Sequence, residues 1–334
     1  MSDGRQYGFQ DARYAEFPPV VQIALVSGVC PSNCSYCPVG QKNKRELASE
    51  LAAELPKRFF DFSLFEKVVD EMSRYPWSIL RIHSRGEPMA HPDYCRMIAL
   101  AKERGVGTVT SFTNAIYLRR HIKALLDAPI DMLEVSADAA DAEHYVLWRR
   151  NPNFERVVRG VRELFAERNA RAGSSTRIVV SAVDHPDFRP HRQAFEAFWG
   201  PICDKVIVRP FHTYAGRITD PYADERQRKE YVPCVQLWER FSISPTGLVN
   251  ACFNDWADRE TVGDLNLREA SIASVWQGEA FTTLRANTLI GPCLACCHTC
   301  SGSSLSSWGK AGYQHWVREL LDNPPNSGRI AKNN

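Results

Sequence analysis

Three cysteines, Cys30, Cys34 and Cys37, stand at C-x3-C-x2-C spacing directly after the run Val20-Val21-Gln22-Ile23-Ala24-Leu25-Val26. Soft thiolates suit iron, and three of them on one short loop hold three corners of a four-iron cluster and leave the fourth iron open. An open iron is a chemical site, where a small molecule binds and accepts an electron. A zinc knuckle, or three unrelated core cysteines, is the alternative reading of the same letters. The run before the loop has the composition of a strand. A strand that ends on such a loop fits a parallel sheet whose ligands gather at the carboxyl ends of its strands.

The chain carries that sheet in its alternation. Strand-like runs at Val20–Val26, Ile79–His83, Thr108–Phe112, Met132–Ser136, Arg177–Val183 and Lys205–Val208 are separated by helical patterns, the mark of successive beta-alpha units. Phe62, Phe65, Val69 and Met72 recur at helical spacing, as do Val157, Val158, Val161, Leu164 and Phe165. A helix over 93–104 has Pro92 near its start and Gly105 past its end. These stripes read as core, and the six strands predict an α/β fold, a partial (β/α)6 TIM-type barrel. After Pro210 the pattern changes to a hairpin, Phe241–Ser244 and Leu248–Ala251 around Pro245-Thr246-Gly247, then a helical stretch near 269–285, a cysteine-dense loop and a polar tail. The expected divisions are an N-terminal extension over 1–17, a barrel over 18–215, a small cysteine-rich domain over 216–302 and a tail over 303–334, frayed from Asn323 onward.

Composition narrows the partners. A formal net charge of +2 over 334 residues, with no basic stripe, argues against bulk nucleic acid or an anionic membrane face. The N-terminal segment is polar, and no apolar run approaches the roughly 18 residues of a membrane span, so the expected location is the cytoplasm. Eleven cysteines in such a chain point to metal binding rather than to disulfides. Cys95 and Cys203, isolated in the sequence, read as core residues.

The three-cysteine spacing, with the aromatic Tyr36 before the last cysteine, resembles the radical S-adenosylmethionine (SAM) superfamily. The resemblance implies a 4Fe-4S cluster whose open iron chelates SAM, and a 5'-deoxyadenosyl radical that abstracts a substrate hydrogen. Gly86-Glu87-Pro88 after the second strand resembles the element whose backbone and carboxylate hold the SAM amino group. Thr113-Asn114-Ala115 is similar to a Thr-Asn-Gly element, with alanine in the place of glycine. Ser136-Ala137-Asp138 resembles a Ser-x-Asp element that reaches the SAM ribose or carboxylate. Arg149 or Arg150 adds a guanidinium fork for a carboxylate.

Cys234, Cys252, Cys293, Cys296, Cys297 and Cys300, with Gly247 five residues before Cys252, resemble the SPASM and twitch extensions of that superfamily. This implies an auxiliary iron-sulfur cluster. Six cysteines do not supply eight ligands, so one fully ligated 4Fe-4S cluster on Cys234, Cys252, Cys297 and Cys300 is expected, with Cys293 and Cys296 as a rival pair and a zinc site as the alternative. An auxiliary cluster suits the oxidation of a secondary alcohol of a sugar or aminocyclitol to a ketone, because it can take the electron left after hydrogen abstraction. Resemblance to the twitch-type 2-deoxy-scyllo-inosamine dehydrogenases makes Arg217 the substrate-binding candidate. His212, Tyr214 and Asp255 are candidates for the proton acceptor. An external donor such as flavodoxin or ferredoxin is implied. The rivals are a peptide or protein modifier, a redox-neutral epimerase, dehydratase or decarboxylase, and a non-catalytic iron-sulfur or zinc protein. Fewer than about twenty residues precede the first strand, which leaves no room for a leader-binding domain.

Overall fold

The computed structural model describes residues 7–41, 55–214, 217–223, 231–294, 297 and 312–326. The strands are β1 (Val20–Ser27), β2 (Arg58–Phe59), β3 (Ile79–Arg85), β4 (Thr108–Thr113), β5 (Met132–Ser136), β6 (Arg177–Val183), β7 (Lys205–Arg209), β8 (Arg240–Ile243), β9 (Leu248–Asn250) and β10 (Thr261–Asp264). The main helices are α1 (Phe62–Met72), α2 (Tyr94–Glu103), α3 (Ile122–Asp127), α4 (Ala142–Arg149), α5 (Phe154–Ala170), α6 (Arg192–Trp199), α7 (Ile272–Trp276), α8 (Glu279–Thr288) and α9 (Tyr313–Asp322). Strands β1, β3, β4, β5, β6 and β7 run parallel in that order, the expected partial barrel. At the other edge of β1 the sheet continues into β8, parallel to it, and through the antiparallel β9 and β10. The cysteine-rich extension therefore grows out of the barrel sheet itself.

Strand alternation separates two interiors. Val21, Ile23, Leu25, Leu80, Ile82, Val109, Leu133, Val135, Ile178 and Val180 join the helices' Phe65, Val69, Val157, Val161 and Phe195 in the main core. The intervening residues Gln22, Arg81, Thr110, Glu134 and Ser181 are buried and polar. A parallel sheet covered on both faces is ordinarily apolar on both, so this polar face marks a lumen built for something other than packing.

The segment expected to be a polar tail contains α9. Tyr313 and Val317, with Trp316 and Leu320, pack on Val20, Ile79, Met132 and Val179 at the starts of four strands, and Tyr313 Oη donates to Thr110 Oγ1 at 2.9 Å. The helix closes the amino-terminal mouth of the barrel. The helical stretch near 269–285 is two helices divided at Gln277-Gly278. The first is capped from the barrel: Glu71 of α1 accepts from Ile272 N at 2.7 Å and Ala273 N at 2.9 Å, satisfying orphan donors at the helix start.

Candidate active site

Cys30, Cys34 and Cys37 lie on the loop after β1, with Cys34 buried and the other two half-buried. The loop turns back so tightly that a Cβ on Gly40 would stand 2.2 Å from the Cys34 carbonyl oxygen. The end of α4 anchors it, since Asn33 N donates to Arg149 O at 3.2 Å and Ser35 N to Trp148 O at 3.0 Å, partnering carbonyls that a helix end leaves open. Gly86 passes against the start of the loop: its Cβ would lie 2.4 Å from Val29 O, and Glu87 N donates to that oxygen at 2.8 Å. Pro88, buried, opens the short turn that follows.

The Glu87 carboxylate is turned inward. Oε1 accepts from Thr113 Oγ1 at 2.7 Å and Met89 N at 3.0 Å, and Oε2 from Asn114 N at 2.8 Å. Burial pushes its carboxyl up from the ordinary value. Glu87 thus positions the loop after β4. That loop directs Asn114, whose Nδ2 lies 3.5 Å from Cys30 Sγ. Ala115 adopts φ +60, the left-handed conformation for which glycine is the natural residue.

Asp138, at φ +61, completes the second strut. Its Oδ1 accepts from Val183 N at 2.7 Å, and its Oδ2 meets Tyr36 Oη and the Arg149 guanidinium. Arg149 Nη1 reaches to 3.6 Å from Cys34 Sγ. Four of the expected cofactor residues, Tyr36, Asn114, Asp138 and Arg149, are therefore gathered around the three-cysteine loop.

A cavity of about 720 Å³ opens from this cluster into the lumen. Tyr36, Ser136 and Asp138 line one part of it and Cys234 and Cys252 another. His212, Tyr214 and Trp256 also line it. Burial and the neighbouring Cys37 and Cys34 push the Tyr214 phenol up, so it stays protonated. Two expected residues do not line it. Asp255 turns its carboxylate to Glu260 N at 2.8 Å, and Arg217 lies back against its own loop, 3.4 Å from Tyr214 O.

Cys234, Cys252, Cys293 and Cys297 share a second, small apolar cavity with Tyr231, Leu237 and Leu294. Three members of the expected auxiliary set are together there, with Cys293 of the rival pair beside them. Cys296 and Cys300 lie outside the described residues. Among the described residues, no three His, Cys, Asp or Glu side chains converge as metal ligands. Cys203 is buried in the main core, and Cys95 packs against it with Sγ 3.2 Å from His121 Nδ1.

The two cysteine regions are bolted together. Arg85 at the end of β3 donates to Trp256 O at 2.7 Å and Asp255 O at 3.0 Å and pairs with Asp258 at 2.7 Å. This sets Trp256 on the first loop, packed with Val39 and Leu55 against Cys30, Cys37 and Tyr214.

Comparison with known proteins agrees with this arrangement. The profile of the radical SAM superfamily matches residues 25–183, and that of the SPASM iron-sulfur cluster-binding domain matches residues 234–301. The chain is a radical SAM protein with a SPASM domain. It is 27% identical over 157 residues to GTP 3',8-cyclase of Chlorobaculum tepidum, covering 46% of this chain and 43% of that protein. It thus spans about two fifths of the cyclases it matches. It is also 27% identical over 316 residues to PqqA peptide cyclase of Methylocella silvestris, covering 83% of this chain and 80% of that protein. Two solved structures share the fold. BtrN in complex with AdoMet and 2-DOIA has a TM-score of 0.54 at 15% identity, over 85% of this chain and 92% of that one. Streptococcus suis SuiB bound to precursor peptide SuiA has a TM-score of 0.60 at 13% identity, over 91% and 73%.

The radical SAM domain implies a 4Fe-4S cluster and SAM, and the SPASM domain implies auxiliary iron-sulfur clusters. The donor chemistry fits both. Soft thiols stand three together on the first loop and four together around the second, small cavity, and burial pushes those of Cys30 and Cys37 up from the ordinary value. The radical SAM lumen also presents residues that the sequence reading passed over: Arg81, His83, Glu134, Arg209 and Arg240 all line the cavity. A signal existed, since Arg81 and His83 interrupt the apolar run Ile79–His83 at alternate positions, the period of one strand face.

Proposed function

We propose that this radical SAM chain oxidises a secondary alcohol of a small polyol, a sugar or aminocyclitol, to a ketone. The observation that carries the reading is the continuity of one cavity from Tyr36 and Asp138, beside the first cysteine loop, to Cys234 and Cys252 of the second group. A substrate held in it lies against the wall that bears the electron acceptor. When bound, SAM and its cluster supply a 5'-deoxyadenosyl radical and an auxiliary cluster accepts one electron. The carbinol C–H bond breaks homolytically, the hydroxyl gives up its proton, and one electron leaves, which together form the C=O bond. Cys30, Cys34 and Cys37 are assigned to the SAM cluster, and Cys234, Cys252, Cys297 and Cys300 to the auxiliary one, with Cys293 as the competing thiol.

Asp138 fixes Tyr36 and Arg149 at the mouth of the SAM pocket, with Ser136 beside it. His212 is the proton acceptor in this reading. It lines the cavity and a neutral imidazole carries an acceptor nitrogen, whereas Tyr214 is held as a phenol and Asp255 does not line the cavity. A cytoplasmic one-electron donor such as flavodoxin or ferredoxin supplies the reducing electron. The test is anaerobic turnover of the reconstituted chain with carbinol-deuterated sugars and aminocyclitols. One ketone per 5'-deoxyadenosine, with deuterium in the latter, is expected. Deuterium returned to a product at unchanged oxidation level would replace oxidation by redox-neutral chemistry. Peptide modification is the second reading, favoured by the match to PqqA peptide cyclase over most of the chain, and deuterium transfer from a peptide alone would establish it instead.

A further inference from the structure

Of the three arginines that line the lumen, Arg81 stands without an ion-pair partner among the described residues and Arg240 has only a long one. Of the arginines lining the cavity, Arg209 is matched by a fork on Glu134, with Nε 2.6 Å from Oε1. Arg240 has Glu239 only at 3.9 Å, and one Glu239 oxygen also accepts from Tyr313 N. Arg81 has no carboxylate within ion-pair distance among the described residues; its one hydrogen-bond acceptor is Gln22 Oε1 at 2.7 Å, which Arg240 Nη1 shares at 3.5 Å. Both arginines are about nine-tenths buried, at 8% exposure, and among the described residues the Nε of each lacks a hydrogen-bond partner. Asp138 on the same cavity is taken by Arg149, and Glu319 stands exposed at its rim.

A buried cation without an anion is costly. Burial first, and then Arg240 and Arg209, pull Arg81 down to about 9, against the opposing effect of Tyr313 and Glu134. Aromatic rings hold the two groups in place without neutralising them. The Arg81 Cζ lies 4.4 Å from the Phe112 ring centroid and 4.5 Å from that of Tyr313, and Arg240 stacks at 5.1 Å over Phe253. A guanidinium fixed by its faces keeps its edge for planar oxyanions.

We propose that Arg81 and Arg240 form an oxyanion subsite of the cavity, which receives a carboxylate or phosphate group carried by the substrate. This rests on the reading above only in calling the ligand a substrate. It narrows that reading to acidic or phosphorylated polyols, because an ammonium brought to the same place would meet two cations. The SAM carboxylate is the competing source of negative charge, and the test separates the two.

The reconstituted chain, saturated with SAM, is titrated calorimetrically with glucose 6-phosphate, glucuronate, glucose and glucosamine, and with inorganic phosphate in the presence and absence of SAM. At least one anionic sugar is expected to bind about tenfold or more tightly than glucose, with glucosamine no tighter than glucose. Inorganic phosphate is expected to bind equally with or without SAM. Arg81→Gln and Arg240→Gln should each erase most of the anion preference while SAM affinity stays unchanged. If one variant does not fold, the other decides, and Arg81→Lys, which keeps the charge and loses the fork, should retain part of the preference. Equal binding of neutral and anionic sugars, an anion preference surviving both Gln substitutions, or displacement of phosphate by SAM would overturn the subsite. None of these readouts requires turnover, so they stand apart from failure of the ketone assay.

Discussion

Glu87 carries three hydrogen bonds on two buried oxygens, and an amide can replace only one of those oxygens. Glu87→Gln must turn its NH2 toward at least one donor among Thr113, Asn114 and Met89. The expected loss is about 1–3 kcal/mol of stability, the cost of an unsatisfied buried group, read from urea unfolding of the chain before reconstitution; an unchanged midpoint would mean the carboxylate is not the strut described. His83 gives a dependence on pH. Burial and the cations Arg81, Arg240 and Arg209 hold its imidazole well below the ordinary 6.5. Below about pH 6.5 the unfolded chain therefore takes up a proton at this residue that the folded chain refuses. Stability should fall as pH drops from 7 to 5, by at most about 1.4 kcal/mol per unit, and His83→Gln should flatten that part of the profile. The residues that could be read in advance were those fixed by spacing: Cys30, Cys34, Cys37, Tyr36 and Asp138 meet in space because each follows a strand end. Arg217 is a candidate through resemblance alone, and a resemblance in sequence does not say which way a loop side chain faces; here it lies 3.4 Å from Tyr214 O. Glu87 was legible as a site residue, but its direction is set in part by donors at the end of another strand, Thr113 and Asn114.

Elements were legible where their pattern was periodic and their partners local. All six barrel strands, α2 and the β8–β9 hairpin lie within a few residues of where alternation and turn residues put them. Gly247 at φ +83 is the turn that the Pro-Thr-Gly sequence announces, and a Cβ there would press into Leu64 and Asn266 at 2.7 Å. The parallel pairing of β8 with β1 was not legible, because it joins segments more than two hundred residues apart and leaves no local trace. Helix α9 is a different case. Tyr313, Trp316, Val317, Leu320 and Leu321 carry a full helical period, but the polar, Pro- and Asn-rich surroundings outweighed it. Its weight in the fold can be tested at Val317, which is completely buried against the barrel floor. Val317→Asp places an unpaired carboxylate among Val20, Ile79, Met132 and Val179 and should cost about 3 kcal/mol or more, seen as a lowered unfolding midpoint. Val317→Leu, which adds one methylene to a filled site but no charge, should cost about 1–3 kcal/mol, less than the aspartate. Equal effects of the two would mean that α9 does not close the barrel.

At the scale of the whole molecule, the arrangement joins two metal-binding regions through protein contacts that are independent of either metal. Arg85 belongs to the barrel, and its three partners belong to the loop after Cys252. Asn250 reinforces the same loop by donating to Asp255 O at 2.7 Å and Asp258 Oδ1 at 2.8 Å. The loop in turn holds Trp256 against the first cysteine loop, so one guanidinium sets the spacing between the two halves of the proposed electron path. Arg85→Met keeps the aliphatic stem, removes the fork and leaves Asp258 without its buried partner. Breaking such a pair costs about 3 kcal/mol, and if that cost falls on the loop alone, local opening rises by roughly a hundredfold. Hydrogen exchange at the amides of residues 253–260 should therefore speed up by about that factor, while exchange in the paired strands β4 and β5, on the far side of the barrel sheet from β8, stays as in the unsubstituted chain. Uniform acceleration throughout the chain would assign Arg85 to global stability instead, and unchanged exchange at 253–260 would show that Asn250 and the packing of Trp256 hold the halves together without it.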